Sequence, residues 1–298
     1  MLGDFNYTFD KEEQVLRIAI SVILFIILAP LVGGLLSGLD RVLSAKMQGR
    51  VGPPLLQPFY DVAKLLKKET LLVNKWQDFY VFAFLVLIIF TGCLFFAGED
   101  LLLVVFALTL ASVLLVLAGF STSSPYSHIG AERELIQMMS YEPMIVIMTV
   151  GIYMVTKDFY VSKIVSFDKP LIMYLPGVFL GFLYVLTIKF RKSPFDLSMS
   201  HHAHQEIVKG ITTEFTGKKL AMIEIAHWYE NVFLLGFVYL FFASSPIVAI
   251  IATLAAFILE IFIDNSSARV KWGFTMASSW VVAVSLGMVN IAVLYFIR

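Results

Sequence analysis

The sequence contains little cysteine and little charge. Cys93 is the only cysteine among 298 residues, and it lies in an apolar run. A disulfide framework and a cysteine-ligated iron–sulfur or zinc site within this chain are therefore excluded. Charged residues make up 15% of the chain and sum to a net charge of zero, so charge predicts no nucleic-acid partner. The chain also lacks a nucleotide-binding loop and a nucleophile motif, which argues against a soluble catalytic site.

Hydrophobic residues are abundant, at 59% of the chain, and the mean hydropathy is +0.85. Apolar stretches of about 20 residues recur, which is the length that crosses roughly 30 Å of hydrocarbon. The pattern predicts an all-α, multi-pass protein of the cell membrane, in which residues 1–298 form one integral domain in the lipid bilayer. About eight transmembrane helices are predicted, at 15–39, 79–97, 101–120, 136–155, 171–190, 219–243, 246–263 and 272–297.

The first loop, at 40–77, contains a short amphipathic pattern after a Gly-Pro-Pro break. Its apolar residues recur at helical spacing, at Leu55, Phe59, Val62 and Leu66. We expect a short interfacial helix that lies on the membrane with its apolar face down and its lysines toward the headgroups. The alternative is a helix whose apolar face docks on a partner.

The basic residues indicate the orientation. Sixteen of the 22 Lys and Arg residues fall in the odd-numbered loops. Because cytoplasmic loops carry an excess of Lys and Arg, we expect these loops on the cytoplasmic side and both termini outside.

The central loop, at 191–217, concentrates the titratable residues of the chain. It holds Asp196, Glu206 and Glu214 together with His201, His202 and His204. A long loop with such chemistry is more often functional than connective. The H-H-x-H spacing lacks a second ligand cluster, so no metal site is predicted. We interpret the histidines as polar surface groups or as proton-exchanging imidazoles.

Several ionisable residues lie inside apolar runs, where each costs about 2.5–3.5 kcal/mol on insertion scales. Glu142 precedes Pro143 in the fourth span, and Glu134 lies upstream of it. In the sixth span Glu224, His227 and Asn231 share one helical face, with Glu230 beside it. This stripe should line the protein interior or a water-filled cavity.

Two interpretations of these charges stay open. They form a proton relay, with Glu224 and His227 titrating as a couple, or they make satisfied hydrogen bonds between helices. Glu260, Asp264 and Asp40 lie near span ends, where we expect them to be hydrated.

Several motifs resemble those of one family. SPFDL at 193–197, QEIVKG at 205–210 and TEFTG at 213–217 resemble the loop of the H-type membrane subunit of respiratory complex I and of its relatives in membrane-bound [NiFe] hydrogenases. QGRVGP at 48–53 and SYE at 140–142 resemble two further motifs of that family. SHHAHQE at 200–206 is similar to the Ech-type, group 4 energy-converting hydrogenases.

The resemblance implies a non-catalytic membrane anchor of a ferredoxin-dependent hydrogenase that couples electron transfer to H⁺ or Na⁺ translocation. The chain itself would bind no cofactor. A hydrophilic arm of hydrogenase large and small subunits and a ferredoxin-like iron–sulfur subunit would carry the NiFe centre and [4Fe-4S] clusters on the cytoplasmic side. An antiporter-like membrane subunit would lie beside it.

The resemblance also implies roles for individual residues. Glu142, Glu206 and Glu214 would form the proton path, Asp196 would order the coupling loop with His201, His202 and His204, and Arg50, Asp61 and Lys64 would dock the arm. Glu134, Glu224 and His227 are added to the proton path from their positions in the spans. The alternative is the quinone-tunnel-forming H-type subunit of a complex I-like NAD(P)H or F420H2 dehydrogenase, and a third possibility is a purely structural anchor.

Overall fold

The computed structural model of the protein describes residues 2–69, 74–199 and 209–297, with side chains from residue 15 onward. This part of the chain is helical and contains no β-strand, which confirms the all-α class. The helices are α1 (Leu2–Met47), α2 (Gln57–Lys67), α3 (Lys75–Ala97), α4 (Leu101–Phe120), α5 (Pro125–Thr156), α6 (Val161–Val165), α7 (Pro176–Lys189), α8 (Lys218–Phe241), α9 (Pro246–Ser266), α10 (Trp272–Val282) and α11 (Val289–Ile297). A 3₁₀ turn (Leu171–Met173) precedes α7, and a π-helical segment (Ala283–Met288) joins α10 to α11.

Six helices in the described ranges are long and apolar enough to cross a membrane: Val15–Met47, Lys75–Ala97, Leu101–Phe120, Pro125–Thr156, Pro246–Ser266 and Trp272–Ile297. The other two predicted spans correspond to α7 and α8. The span predicted at 171–190 is interrupted, so α7 has only 14 residues. Helix α8 has 24 residues, but Glu224, His227 and Glu230 lower its hydropathy. The fold is that of a polytopic membrane protein, and the count of eight stays a prediction.

Two helices extend beyond the predicted spans. Helix α1 extends to Met47, so the first residues of the predicted 40–77 loop are helical. It ends just before Gly49, which adopts a left-handed φ of 68° that glycine tolerates at a helix end. Helix α5 begins at Pro125 rather than at residue 136, because proline is favoured in the first turn of a helix.

Part of the apolar face of α2 packs on another helix of the chain. Phe59 and Val62 pack against Trp228 of α8, with the Phe59 and Trp228 ring centroids 5.1 Å apart. Helix α1 approaches the same place, since a Cβ atom at Gly34 would lie 2.4 Å from the Phe59 ring. These two residues therefore dock on α8 of the same chain, and the position of α2 at the membrane surface stays a prediction. Leu55 and Leu66 stay exposed.

The odd-numbered loops meet at one end of the bundle. Lys192, at the start of the central loop, pairs with Asp40 of α1 and with Asp264 of α9 at 3.3 Å. At the opposite end an isolated bridge joins Asp100 to Tyr160, in the second and fourth loops. The loops rich in Lys and Arg thus share one face of the protein.

Candidate functional site

Glu230 of α8 is the centre of a buried ionic network. Its side chain is 2% exposed, and Lys189 Nζ lies 2.9 Å from its Oε1 atom. The other oxygen faces His227 Nδ1 at 3.2 Å and Arg191 Nη1 at 3.6 Å. One carboxylate therefore meets three basic side chains, two of them from the end of α7 and the turn that follows it.

Lys189 also contacts polar groups of α4 and α5. Its ammonium lies 3.2 Å from Ser112 Oγ and 4.5 Å from the centroid of the Tyr141 ring. The Tyr141 hydroxyl donates to Ser112 Oγ at 3.3 Å. A buried ammonium needs this number of partners, because an unpaired one is very costly away from water.

Arg191 joins Glu230 to Glu134 of α5. Arg191 Nη2 donates to Glu134 Oε1 at 2.7 Å, and the Ser198 hydroxyl donates to the other oxygen of Glu134. Arg191 has a left-handed φ of 52°, a conformation that costs a non-glycine residue about 1–3 kcal/mol. Burial opposes the charge of Arg191, but Glu134 and Glu230 outweigh it and raise its pKa. Arg191 therefore stays protonated.

His227 lies between the two opposite charges of the network, Arg191 and Glu230. Its Nδ1 atom lies 3.3 Å from Arg191 Nη1 as well as 3.2 Å from Glu230 Oε2. Arginine only donates and an ionised carboxylate only accepts. Nδ1 can therefore accept from Arg191 when unprotonated or donate to Glu230 when protonated. His227 Nε2 is buried and has no partner among the side chains and backbone that the structure describes.

Glu224 and His227 make no direct hydrogen bond in the described part of the chain, and their predicted exchange through water stays a prediction. His227 pairs with Glu230, three residues further along α8, whereas Glu224 has no hydrogen bond or ion pair within the described ranges. Both side chains nevertheless line one cavity with Asn231, as the stripe predicted.

The cavity has a volume of about 900 Å³ and lies between α1, the first loop, the central loop, α8 and α9. Nearly half of its lining residues are charged: Asp40, Arg41, Arg50, Arg191, Lys192, Asp196, Lys209, Glu224 and Asp264. Its apolar lining includes Phe190 and Trp228. The cavity thus connects the base of the central loop with His227 and the buried network.

Ion pairs fix the start of the central loop. Arg269 binds Asp196 through two hydrogen bonds, of 2.9 Å from Nε and 2.5 Å from Nη2, and Asp196 is buried. Asp264 accepts from the Ser193 backbone N–H at 2.8 Å. Burial opposes the charge of Lys192, but Asp40 and Asp264 outweigh it and raise the Lys192 pKa. The expected ordering role of Asp196 therefore has a geometric basis, while its part in coupling stays a prediction.

The remaining predicted proton-path residues do not join the network in the described part of the chain. Glu142 and Glu214 are half-buried, and neither has a partner within the described ranges. Glu206, His201, His202 and His204 lie outside the described residues. Of the predicted set, Glu134 and His227 are the two that the structure brings into one network.

The residues predicted to dock the arm lie at the end of the bundle where the odd-numbered loops meet. Asp61 pairs with Arg41 at 2.6 Å, and Arg50 donates to Gln48 Oε1 at 2.8 Å. Lys64 is exposed at the edge of a smaller cavity of about 330 Å³. They form no network with Glu134.

Sequence reasoning missed the importance of Glu230, Lys189 and Arg191. Helical spacing placed Glu230 beside the stripe of Glu224, His227 and Asn231. Lys189 and Arg191 were used only in the count of basic residues that predicts the orientation. The signal was the position of Glu230 one turn after His227, directly opposite a basic span end. The expectation for Glu260 was wrong, because its side chain is completely buried.

The fold and the site define a multi-pass membrane protein that holds a buried ionic network against a charged cavity. The family profile described as NADH dehydrogenase matches residues 19–295, so the chain belongs to that family. The expected relationship to the H-type membrane proteins of complex I and their hydrogenase relatives is confirmed.

Relatives in this family carry two kinds of name. Hydrogenase-4 component C of Escherichia coli (strain K12) is 27% identical over 288 residues, covering 83% of this chain and 90% of that protein. The H-type subunit of the NADH-quinone oxidoreductase of Bacillus cytotoxicus is 32% identical over 238 residues, covering 72% of this chain and 69% of that protein. A chain in the solved structure of the membrane-bound sulfane sulfur reductase, an archaeal respiratory membrane complex, has a TM-score of 0.82 and 24% identity. The structural alignment covers 92% of this chain and 99% of the reductase chain, which shows that the two chains share the fold.

Proposed function

We propose that this chain is the membrane subunit of a ferredoxin-dependent, energy-converting hydrogenase and that it couples electron transfer to H⁺ or Na⁺ translocation. It binds no cofactor itself. The NiFe centre and the [4Fe-4S] clusters belong to a hydrophilic arm of hydrogenase large and small subunits and a ferredoxin-like iron–sulfur subunit. An antiporter-like membrane subunit continues the ion path.

The observation that carries this proposal is the network of Lys189, Glu230, His227, Arg191 and Glu134 beside the cavity. Lys189 belongs to α7 and Glu134 to α5. The network therefore links two helices, and a movement of one helix changes the ionic contacts of the other. A proton that reaches His227 lets Nδ1 donate to Glu230, which weakens the hold of Glu230 on Arg191. Inside a protein, where the dielectric is low, such an exchange strongly changes the interaction energies of the neighbouring charged groups.

The central loop connects this network to the arm. Arg191 and Ser198 belong to that loop and both contact Glu134. A movement of the loop caused by a redox step in the arm would therefore change the contacts of a buried carboxylate. On this proposal the end where the odd-numbered loops meet faces the cytoplasm and docks the arm. Arg50, Asp61 and Lys64 belong to that docking face.

The alternative function is a quinone tunnel in a complex I-like dehydrogenase. The volume of the cavity and its aromatic residues, Phe190 and Trp228, favour that interpretation. The charges of the lining favour a hydrated ion vestibule, because ligand pockets for apolar molecules are lined mainly by apolar side chains. The similarity to Hydrogenase-4 component C of E. coli also supports the proposal that this chain belongs to a hydrogenase.

Purification of the intact complex tests the assignment. We expect mass spectrometry to find hydrogenase subunits with this chain, metal analysis to find nickel, and reduced ferredoxin to drive H₂ formation. A complex that contains bound quinone, lacks nickel and is inhibited by quinone-site ligands would establish the alternative.

A further inference from the structure

Glu260 is a buried carboxylate that the network does not use. Its side chain in α9 is 0% exposed, and neither carboxylate oxygen has a hydrogen-bond partner in the described part of the protein. The other buried acidic residues in that part, Glu134, Asp196 and Glu230, each pair with Lys or Arg. Glu260 therefore differs from them in its partners and not in its burial.

The surroundings of Glu260 are mostly apolar. Its neighbours on α9, Phe257 and Ile261, form a buried cluster with Leu235 of α8. The Thr187 hydroxyl of α7 is close enough to interact with Glu260, but it donates to the Leu183 carbonyl oxygen at 3.3 Å.

Two charged groups also act on Glu260 from nearby, Lys192 and Asp264. The Lys192 ammonium is already held by Asp40 of α1 and by Asp264, so it does not bond Glu260. Asp264 carries a like charge. No cation in the described part of the chain therefore neutralises an ionised Glu260.

An ionised carboxylate without a partner is one of the most costly groups to bury. A protonated carboxyl carries no net charge and is buried at much lower cost. The geometry thus suits the acid form of Glu260. It also leaves Glu260 close to a source of protons, because Asp264 lies one turn further along the same face of α9 and lines the 900 Å³ cavity.

We propose that Glu260 is a proton-binding residue that exchanges with the charged cavity through Asp264, on a branch separate from the Glu230 network. Lys192, which also binds Asp40, holds Asp264 at the entrance to this branch. The role of the branch in translocation rests on the proposed function, whereas the protonation of Glu260 does not.

Labelling with dicyclohexylcarbodiimide tests the protonation directly. This apolar reagent adds to protonated carboxyl groups, and peptide mass spectrometry locates the product. In the purified complex at neutral pH we expect modification of Glu260 and not of Glu230, a matched control that is equally buried but paired with Lys189. Equal modification of the two, or none at Glu260, would overturn the proposal.

Two variants test the role of the proton. Glu260→Leu removes an unpaired polar group, so we expect it to raise the Tm of the complex by about 2–4 °C. We also expect both Glu260→Leu and Glu260→Gln to lower the ions moved per electron, because a titratable group on the path is lost.

Unchanged ion transport in both variants would show that Glu260 is not on the path. If carbodiimide labels Glu260 but the complex makes no H₂ from reduced ferredoxin, the hydrogenase assignment fails and the proton-binding residue stands. The two proposals can therefore fail separately.

Discussion

The buried pair of Lys189 and Glu230 allows a sharp prediction about stability. The two side chains are 3% and 2% exposed, and their charged atoms are 2.9 Å apart. Removing one partner of a buried ion pair typically costs about 3–5 kcal/mol, because the other charge is left uncompensated. In Lys189→Met, Glu230 still faces Arg191 and His227, so we expect a loss of about 3 kcal/mol, at the lower end of that range.

Glu230→Gln should cost more. Lys189 would then lose its ion-pair partner, and Arg191 would keep only Glu134, so we expect a loss of about 5 kcal/mol. In the double variant Lys189→Met/Glu230→Gln both charges are absent. Its loss should be smaller than the sum of the single losses by about 2–3 kcal/mol, because residues of one ionic network are coupled.

Denaturant titration of the protein in lipid bicelles measures these free energies of unfolding. Lys163→Met is the matched control, because Lys163 also pairs with a carboxylate, Asp158, but at the exposed surface. We expect no measurable loss for it. Equal losses in Lys189→Met and Lys163→Met, or additive losses in the double variant, would refute the description of a dry, coupled network.

Three further predictions concern coupling and orientation. His227→Glu should preserve ion transport per electron better than His227→Leu, because it keeps a titratable group beside Arg191; equal loss would indicate a packing role. Glu142→Gln should slow or uncouple turnover in the assembled complex, and wild-type transport would make Glu142 structural. In a Cys93→Ser background, cysteines at the exposed positions of Lys209 and Lys169 should react with impermeant reagents from opposite sides of the membrane. Reaction from the same side would contradict the orientation.

Much of the fold could be predicted because membrane spans depend on composition and length. Six of the eight predicted spans correspond to long apolar helices. The span at 171–190 was overestimated, since hydropathy does not register the interruption before Pro176. The docking of α2 was only an alternative, because an apolar face fits a lipid surface and a neighbouring helix equally well.

The candidate site could be predicted in part. Helical spacing placed Glu224, His227 and Asn231 on one face, and that face lines the cavity. The contact of His227 with Arg191 could not be predicted, because Arg191 reaches it only through a left-handed turn after α7. The burial of Glu260 depends on the packing of α9 against its neighbours, which a single sequence does not encode locally.

Ion uptake by proteoliposomes that contain the intact complex tests the central claim most directly. Reduced ferredoxin would be supplied outside, and H₂ and internal H⁺ or Na⁺ would be followed together. The proposed function predicts that ion uptake accompanies H₂ formation in a fixed ratio and that Glu230→Gln lowers this ratio. H₂ formation without any ion uptake, or electron transfer to quinone without H₂, would contradict it.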